Sequence, residues 1–186
     1  YDLSQNDEHV QAYLLSRNFG HQMALTCGLD HAEGDAVITM DGDLQHPPEL
    51  IPELLGLWEA GYEIVQTVRK DTADASKFKK VTSSTYYKVI NKMSKVHITP
   101  GGSDFRLMDR VAIEALRLYN ERARFIRGLV NNLGFKLTTL EFVAPPRFAG
   151  QSKYNLHKML HFALDGITAF SNVPLRLAFY VGLFFG

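Results

Sequence analysis

The apolar run Ala36-Val37-Ile38-Thr39-Met40, followed at once by Asp41-Gly42-Asp43-Leu44-Gln45-His46-Pro47-Pro48-Glu49, constrains this chain more than any other stretch. A short, unbroken, β-branched run reads as a strand of a parallel sheet, buried on both faces. Pro47 and Pro48 suit the first turn of a helix, where a missing N–H costs nothing. Open α/β sheets bind their ligands at the carboxyl ends of such strands. Alternation is expected to send the Asp41 and Asp43 side chains to one side, within reach of one hard cation. Gly42 lets a ligand approach the backbone with no Cβ in the way.

A solvated turn is the plain alternative for a bare Asp-x-Asp at a strand end, because Asp and Gly favour turns in any case. A calcium loop of the EF-hand type is excluded. With Asp41 at its first position, His46 falls at the required glycine and Pro52 at the required bidentate glutamate.

The surrounding pattern alternates. Residues 13–16 read as a short strand leading into a turn, and 21–32 as a helix with Met23, Ala24, Cys27 and Leu29 at apolar positions. After the acidic stretch comes a helix built on Leu50, Ile51, Leu54, Leu55 and Trp58, closed by Gly61, and then a strand over 63–68. This β-α-β-α-β order implies an α/β fold, a mostly parallel sheet with helices on both faces. Residues 75–96 read as a long amphipathic helix with a lysine stripe, which is either a solvated face or one drawn to anionic lipid headgroups. A glycine-rich turn over 101–104 precedes a strand over 105–109, helices over 111–119 and 125–133, and a strand over 136–143. Residues 145–153 read as a loop, because prolines and glycine bracket polar and basic groups.

With 186 residues there is room for one domain with a sizeable core. Lys plus Arg equals Asp plus Glu at 20 each, so no global field draws the chain to nucleic acid. Phosphate binding would have to come from local clusters of cations. The lone Cys27 excludes an internal disulfide, suits a reducing compartment and reads as a small core residue. The sequence opens on Tyr1 without Met and closes inside the apolar run 177–186, about half of the ~20 residues needed to cross a bilayer. Both ends are therefore expected to be cut.

The string Asp41-Gly42-Asp43-Leu44-Gln45-His46-Pro47-Pro48-Glu49 resembles the Asp-x-Asp-x-Gln-x-Pro-Pro-Glu signature of family 2 glycosyltransferases. The likeness is to those that charge polyprenyl phosphates, the dolichol-phosphate mannose synthase and bactoprenol glucosyltransferase group. Further landmarks follow in the family's order: Arg17-Asn18-Phe19-Gly20, Gly34-Asp35-Ala36, Ser103-Asp104-Phe105-Arg106-Leu107, Phe125-Ile126-Arg127-Gly128, and Arg147-Phe148-Ala149-Gly150-Gln151-Ser152-Lys153-Tyr154. Ser171-Asn172-Val173-Pro174-Leu175-Arg176 resembles the entry into the family's membrane helices.

This resemblance covers nearly everything after Val10 and implies the nucleotide-sugar-binding GT-A fold, truncated at its N-terminus. A catalytic domain would span 1–153 without its first βα unit, an amphipathic interfacial helix 154–172, and the start of a transmembrane segment 173–186. It implies Mg²⁺ or Mn²⁺ at Asp41, Asp43 and Gln45, catalytic roles for Asp43 and Asp104, and phosphate or acceptor contacts from Arg106, Arg127, Arg147, Ser152 and Lys153. For each arginine alone, a surface ion pair is the plain reading. Asp104 would lie where an inverting enzyme keeps its carboxylate, with turn capping as its plain reading. A lipid phosphate is already anionic near pH 7, so Asp104 is expected to orient the acceptor or stabilise a cationic transition state. His46 replaces an acidic residue common in relatives and reads as a supporting group.

The implied reaction moves a hexose from a UDP- or GDP-sugar to an undecaprenyl or dolichyl phosphate at the cytoplasmic face of a membrane. Membrane lipid is a partner, nucleic acid is not, and the apolar tails allow a homo-oligomer. The family's base-holding strand and acidic loop have no counterpart before Tyr1, so this stretch alone is expected to bind nucleotide poorly. The rivals are a processive polysaccharide synthase, whose Gln-x-x-Arg-Trp-type motif is missing near Arg127, and a nucleotidyltransferase, whose basic glycine-rich opening is missing. A non-catalytic sugar-nucleotide-binding membrane domain is the third.

Overall fold

Strands form where β-branched and aromatic residues cluster between glycine and proline breaks. The computed structural model describes residues 2–70, 99, 101–119, 124–145 and 173–185. Its elements are α1 (Asp2–Asn6), α2 (His21–His31), β1 (Ala36–Thr39), a 3-10 turn (Pro48–Leu50) running into α3 (Ile51–Glu59), and β2 (Ile64–Arg69). Then come β3 (Gly102–Asp109), α4 (Arg110–Arg117), α5 (Ile126–Asn132), β4 (Leu137–Phe142) and α6 (Val173–Phe185). The helix expected over 75–96, the loop residues 146–153 and the interfacial helix expected over 154–172 lie outside the described residues.

The sheet is mixed, which corrects the mostly parallel expectation. Its order is β1-β3-β2-β4. Antiparallel pairing joins β3 to β1, with Ala36 opposite Asp109 and Thr39 opposite Arg106, and joins β3 to β2, with Ile64 opposite Met108. Among the described residues only β2 and β4 pair in parallel, Ile64 opposite Leu137. Strands β1, β2 and β4 do share one direction, as helical crossovers dictate. The expectation failed because β3 enters between β1 and β2 from the other end. Among the described residues β1 is consequently an edge strand, half-buried except at Thr39, rather than covered on both faces. Residues 13–16 are not a strand: no described strand pairs with them, and Leu14 is 80 % exposed.

Period-2 alternation builds a core on each face of the sheet. Ile64 and Met108 face α2, α4 and α5, where they meet Leu29, Ile113, Leu116, Ile126 and Leu129. Their neighbours Val65 and Leu107 face α3, packing with Phe105, Leu54, Leu55 and Trp58. Each such side chain contributes about 1.5–3 kcal/mol when fully buried. Polar ties set the helices on these faces. Trp58 Nε1 donates to Asp109 Oδ2 at 2.7 Å, while Asp109 Oδ1 accepts from Val111 N and caps α4. Arg117 and Arg110 of α4 donate to the carbonyls of Leu29 and Ala32, closing the carboxyl end of α2. That fixes α2 with its first residue, His21, beside the end of β1.

Helix α6 has 13 residues, about 20 Å at 1.5 Å per residue, with Phe179, Leu183, Phe184 and Phe185 exposed. Among the described residues no helix is long and apolar enough to cross a membrane.

Candidate active site

Strand β1 stops at Thr39, so Asp41 and Asp43 do not alternate along a strand as expected. A turn aims them instead. Leu44 takes φ 59, and Asp43 Oδ1 accepts the Gln45 N–H at 3.1 Å, the Asx arrangement that lets a short acidic segment reverse. The outcome still gathers the three residues: Asp41, Asp43 and Gln45 line one cavity of about 240 Å³ together with Arg69, Ser103 and Arg127. Gln45 Nε2 donates to the Pro145 carbonyl at 3.4 Å. Two histidines stand near the Asp41 carboxylate, His21 Nδ1 at 4.0 Å and His46 Nε2 at 3.8 Å. Two carboxylates and an amide oxygen form a hard donor set of the kind Mg²⁺ and Mn²⁺ accept. Among the described residues no group of three or more His, Cys, Asp or Glu is placed to hold a metal ion.

His46 anchors this turn. Its ring is buried, stacked on Phe105 with centroids 5.1 Å apart and edge-on to Phe142. Nδ1 accepts the Asp41 N–H at 2.9 Å, and Nε2 lies 2.9 Å from Ser103 Oγ. Burial pushes its pKa below the ordinary histidine value, against the pull of Asp41 and Asp43.

Asp104 was expected in a glycine-rich turn. Only Gly101, at φ +73, makes that turn, and Asp104 sits on β3 at 4 % exposure. The Thr39 hydroxyl ties β1 to its backbone carbonyl. Its Oδ1 accepts from Arg106 Nη2 at 2.8 Å and Arg127 Nε at 3.0 Å, its Oδ2 from Arg127 Nη2 at 2.9 Å, and His21 Nε2 stands 3.1 Å from Oδ2. Burial alone would raise its pKa. The bonds from His21 and Arg127 and the charges of Arg127 and Arg106 overcome that and hold the carboxyl well below the usual range. A carboxylate so loaded with donors is a poor proton acceptor. Nor does it cap a turn.

Arg106, expected to grip phosphate, is 1 % exposed and turned inward. It donates to Asp104 and, at 3.0 Å, to the Ser103 carbonyl, while Nε and Nη1 have no hydrogen-bond partner. Burial lowers its pKa to about 10. Arg106 sits on β3, between β1 and β2, and is not among the residues lining the cavity; its charge is paired with Asp104. Arg127 differs: it lines the cavity, with 28 % of its side chain exposed, and forks Asp104 bidentately. Arg147, Ser152 and Lys153 lie outside the described residues.

The sequence reading missed three residues. Arg69 ends β2 at the cavity, where a cation closing a strand was the available signal. His21 bridges towards Asp104 and Asp41 from the first turn of α2; its pKa is raised by the Asp104 hydrogen bond, against burial, with help from both carboxylate charges. For Ser103 the available signal was its place at the head of the landmark Ser103-Asp104-Phe105-Arg106-Leu107.

The glycosyl transferase family 2 profile matches residues 1–117. An uncharacterized glycosyltransferase of Bacillus subtilis is 45% identical over 177 residues, covering 95% of this chain and 55% of the relative. A bactoprenol glucosyl transferase of Shigella phage SfV is 43% identical over 182 residues, 98% of this chain and 59% of that protein. A prophage bactoprenol glucosyl transferase homolog of Escherichia coli is 42% identical over 181 residues, 97% and 59% of the two lengths. The chain thus spans a little over half the length of these curated relatives.

Proposed function

Because the chain belongs to glycosyl transferase family 2, we propose that it carries the GT-A domain of a metal-dependent, inverting hexosyltransferase that transfers from a UDP- or GDP-sugar to a polyprenyl phosphate. The names of the phage and prophage relatives support the acceptor class. One observation carries the chemistry: Asp41, Asp43 and Gln45 share a single cavity with the cations Arg69 and Arg127. Asp41, Asp43 and Gln45 would hold Mg²⁺ or Mn²⁺, which supplies Lewis-acid neutralisation of a leaving diphosphate. Arg69 and Arg127 orient phosphate oxygens and offset the repulsion between two phosphate groups brought together. By resemblance, Arg147, Ser152 and Lys153 close over the same groups.

Asp104 is not asked to remove a proton. A lipid phosphate is anionic near pH 7 and attacks without a base. The role that suits a saturated carboxylate is to keep Arg127 and His21 in place beside the reacting groups. Attack opposite the leaving diphosphate inverts the anomeric centre and gives a β-linked product. The exposed apolar side chains of α6 support attachment to a membrane, at the cytoplasmic face where nucleotide sugars are found, and leave room for association between copies.

The test uses full-length protein, a panel of UDP- and GDP-hexoses, a short-chain polyprenyl phosphate and Mg²⁺. Asp43→Ala is expected to cut transfer by roughly a hundredfold or more, the scale of losing metal-assisted charge stabilisation. Full metal-dependent transfer by that variant, or undiminished turnover of the parent in excess EDTA, would refute the proposal.

A further inference from the structure

We infer that Ser103 is a substrate-positioning residue, its hydroxyl donating to a phosphate oxygen in the cavity, and that His46 enforces that direction. The inference rests on the transferase reading above and adds to it two residues that the charge pattern does not single out.

Proton counting carries it. The Asp41 backbone N–H can only donate, and it points at His46 Nδ1 from 2.9 Å, so Nδ1 accepts and bears no hydrogen. A neutral imidazole then carries its one hydrogen on Nε2, which faces Ser103 Oγ at 2.9 Å. Ser103 Oγ also accepts the Phe105 N–H at 3.2 Å. A hydroxyl has two acceptor sites and one hydrogen. Both acceptor sites are taken, so the hydrogen is left to donate outward.

Outward is the cavity, which Ser103 lines with Asp43, Arg69 and Arg127. The arrangement cannot easily turn. The Ser103 carbonyl is held by Arg106 Nη2 and Gln66 Nε2, and the His46 ring is fixed between Phe105 and Phe142. A fixed hydroxyl donor beside two arginines suits an anionic oxygen, to which hydrogen bonds are shorter and stronger. A phosphate oxygen has that chemistry, and both the nucleotide-sugar diphosphate and the polyprenyl phosphate carry one.

Steady-state kinetics of the full-length protein, varying the nucleotide hexose and a short-chain polyprenyl phosphate separately, test this. Ser103→Ala is expected to lower kcat/KM by roughly ten- to a hundredfold, the range for one hydrogen bond to a charged group. A rise in KM for the nucleotide sugar assigns the contact to the donor, and a rise for the lipid phosphate assigns it to the acceptor. Ser103→Thr keeps the hydroxyl on a strand that accepts β-branching and is expected to restore most of the rate. His46→Phe keeps the ring stack but loses both hydrogen bonds; combined with Ser103→Ala it should be no worse than the poorer single variant. Unchanged kcat/KM in Ser103→Ala, Ser103→Thr as impaired as Ala, or simple additivity of the pair overturns the inference while leaving the transferase reading intact. A wild-type protein that transfers no hexose overturns both.

Discussion

Asp104→Ala is expected to destabilise the fold by about 3–5 kcal/mol, the usual cost of removing one partner from a buried ion pair. The cost falls unevenly on the three cations around this carboxylate. Arg127 and His21 have side chains 28% and 51% exposed and can hydrate when it is gone. Arg106 is 1 % exposed, with Nε and Nη1 already lacking partners, so it would be left as an isolated charge with only the Ser103 carbonyl beside it. Exchanging Arg106 as well, in Asp104→Ala/Arg106→Met, removes that charge and refills its volume. The double variant should recover at least half of the loss, since replacing a whole buried pair by apolar groups is often neutral. Urea unfolding followed by fluorescence of Trp58, the one tryptophan, reads both changes, because its indole packs near β3. Acid gives a second arm. A carboxyl depressed in the folded state contributes fully above its unfolded pKa of about 3.9 and loses that contribution as pH falls below it, so parent and Asp104→Ala should converge in acid. A single variant costing under about 1 kcal/mol, or a double no better than the single, would refute the reasoning.

Two further predictions concern the surroundings of the site. His21 has a raised pKa in the fold, so its contribution is complete below about 6.5 and fades as pH rises through the raised value. The difference in melting temperature between parent and His21→Ala should therefore shrink from mildly acidic to alkaline buffer, and a pH-independent difference would remove His21 from the Asp104 cluster. Gly101→Ala forces φ +73 on an L-residue and brings a Cβ to 3.2 Å from the Arg69 carbonyl and 3.4 Å from Val68 Cγ1. A loss of about 1–2 kcal/mol is expected from the left-handed conformation, read as a lowered urea midpoint; an unchanged midpoint would mean that the turn relaxes freely.

The helices over 21–31, 51–59, 110–117 and 126–132 were legible within a residue or two, because apolar spacing, Pro47-Pro48 and Gly61 are local signals. So were the strands at 36–39, 64–69 and 137–142. The reading failed at 13–16, where a short apolar run had no described neighbour to pair with, and it began β3 three residues late. At the candidate site, Asp41, Asp43 and Gln45 line one cavity, but Leu44 in the left-handed region, and not strand alternation, brings them there.

What the sequence determined alone was composition of the turn: two carboxylates, an amide and a histidine held within six consecutive positions, 41–46, by covalent connection. What the tertiary structure decided was who meets whom across distance. His21 and Asp104 are 83 residues apart in the chain, His46 and Ser103 are 57 apart, and each pair meets only because β3 inserts beside β1. The same insertion buries Arg106 and pairs it with the Asp104 carboxylate. Local patterns set which way each segment bends, whereas strand order follows from the burial of both sheet faces at once, a condition no single segment contains.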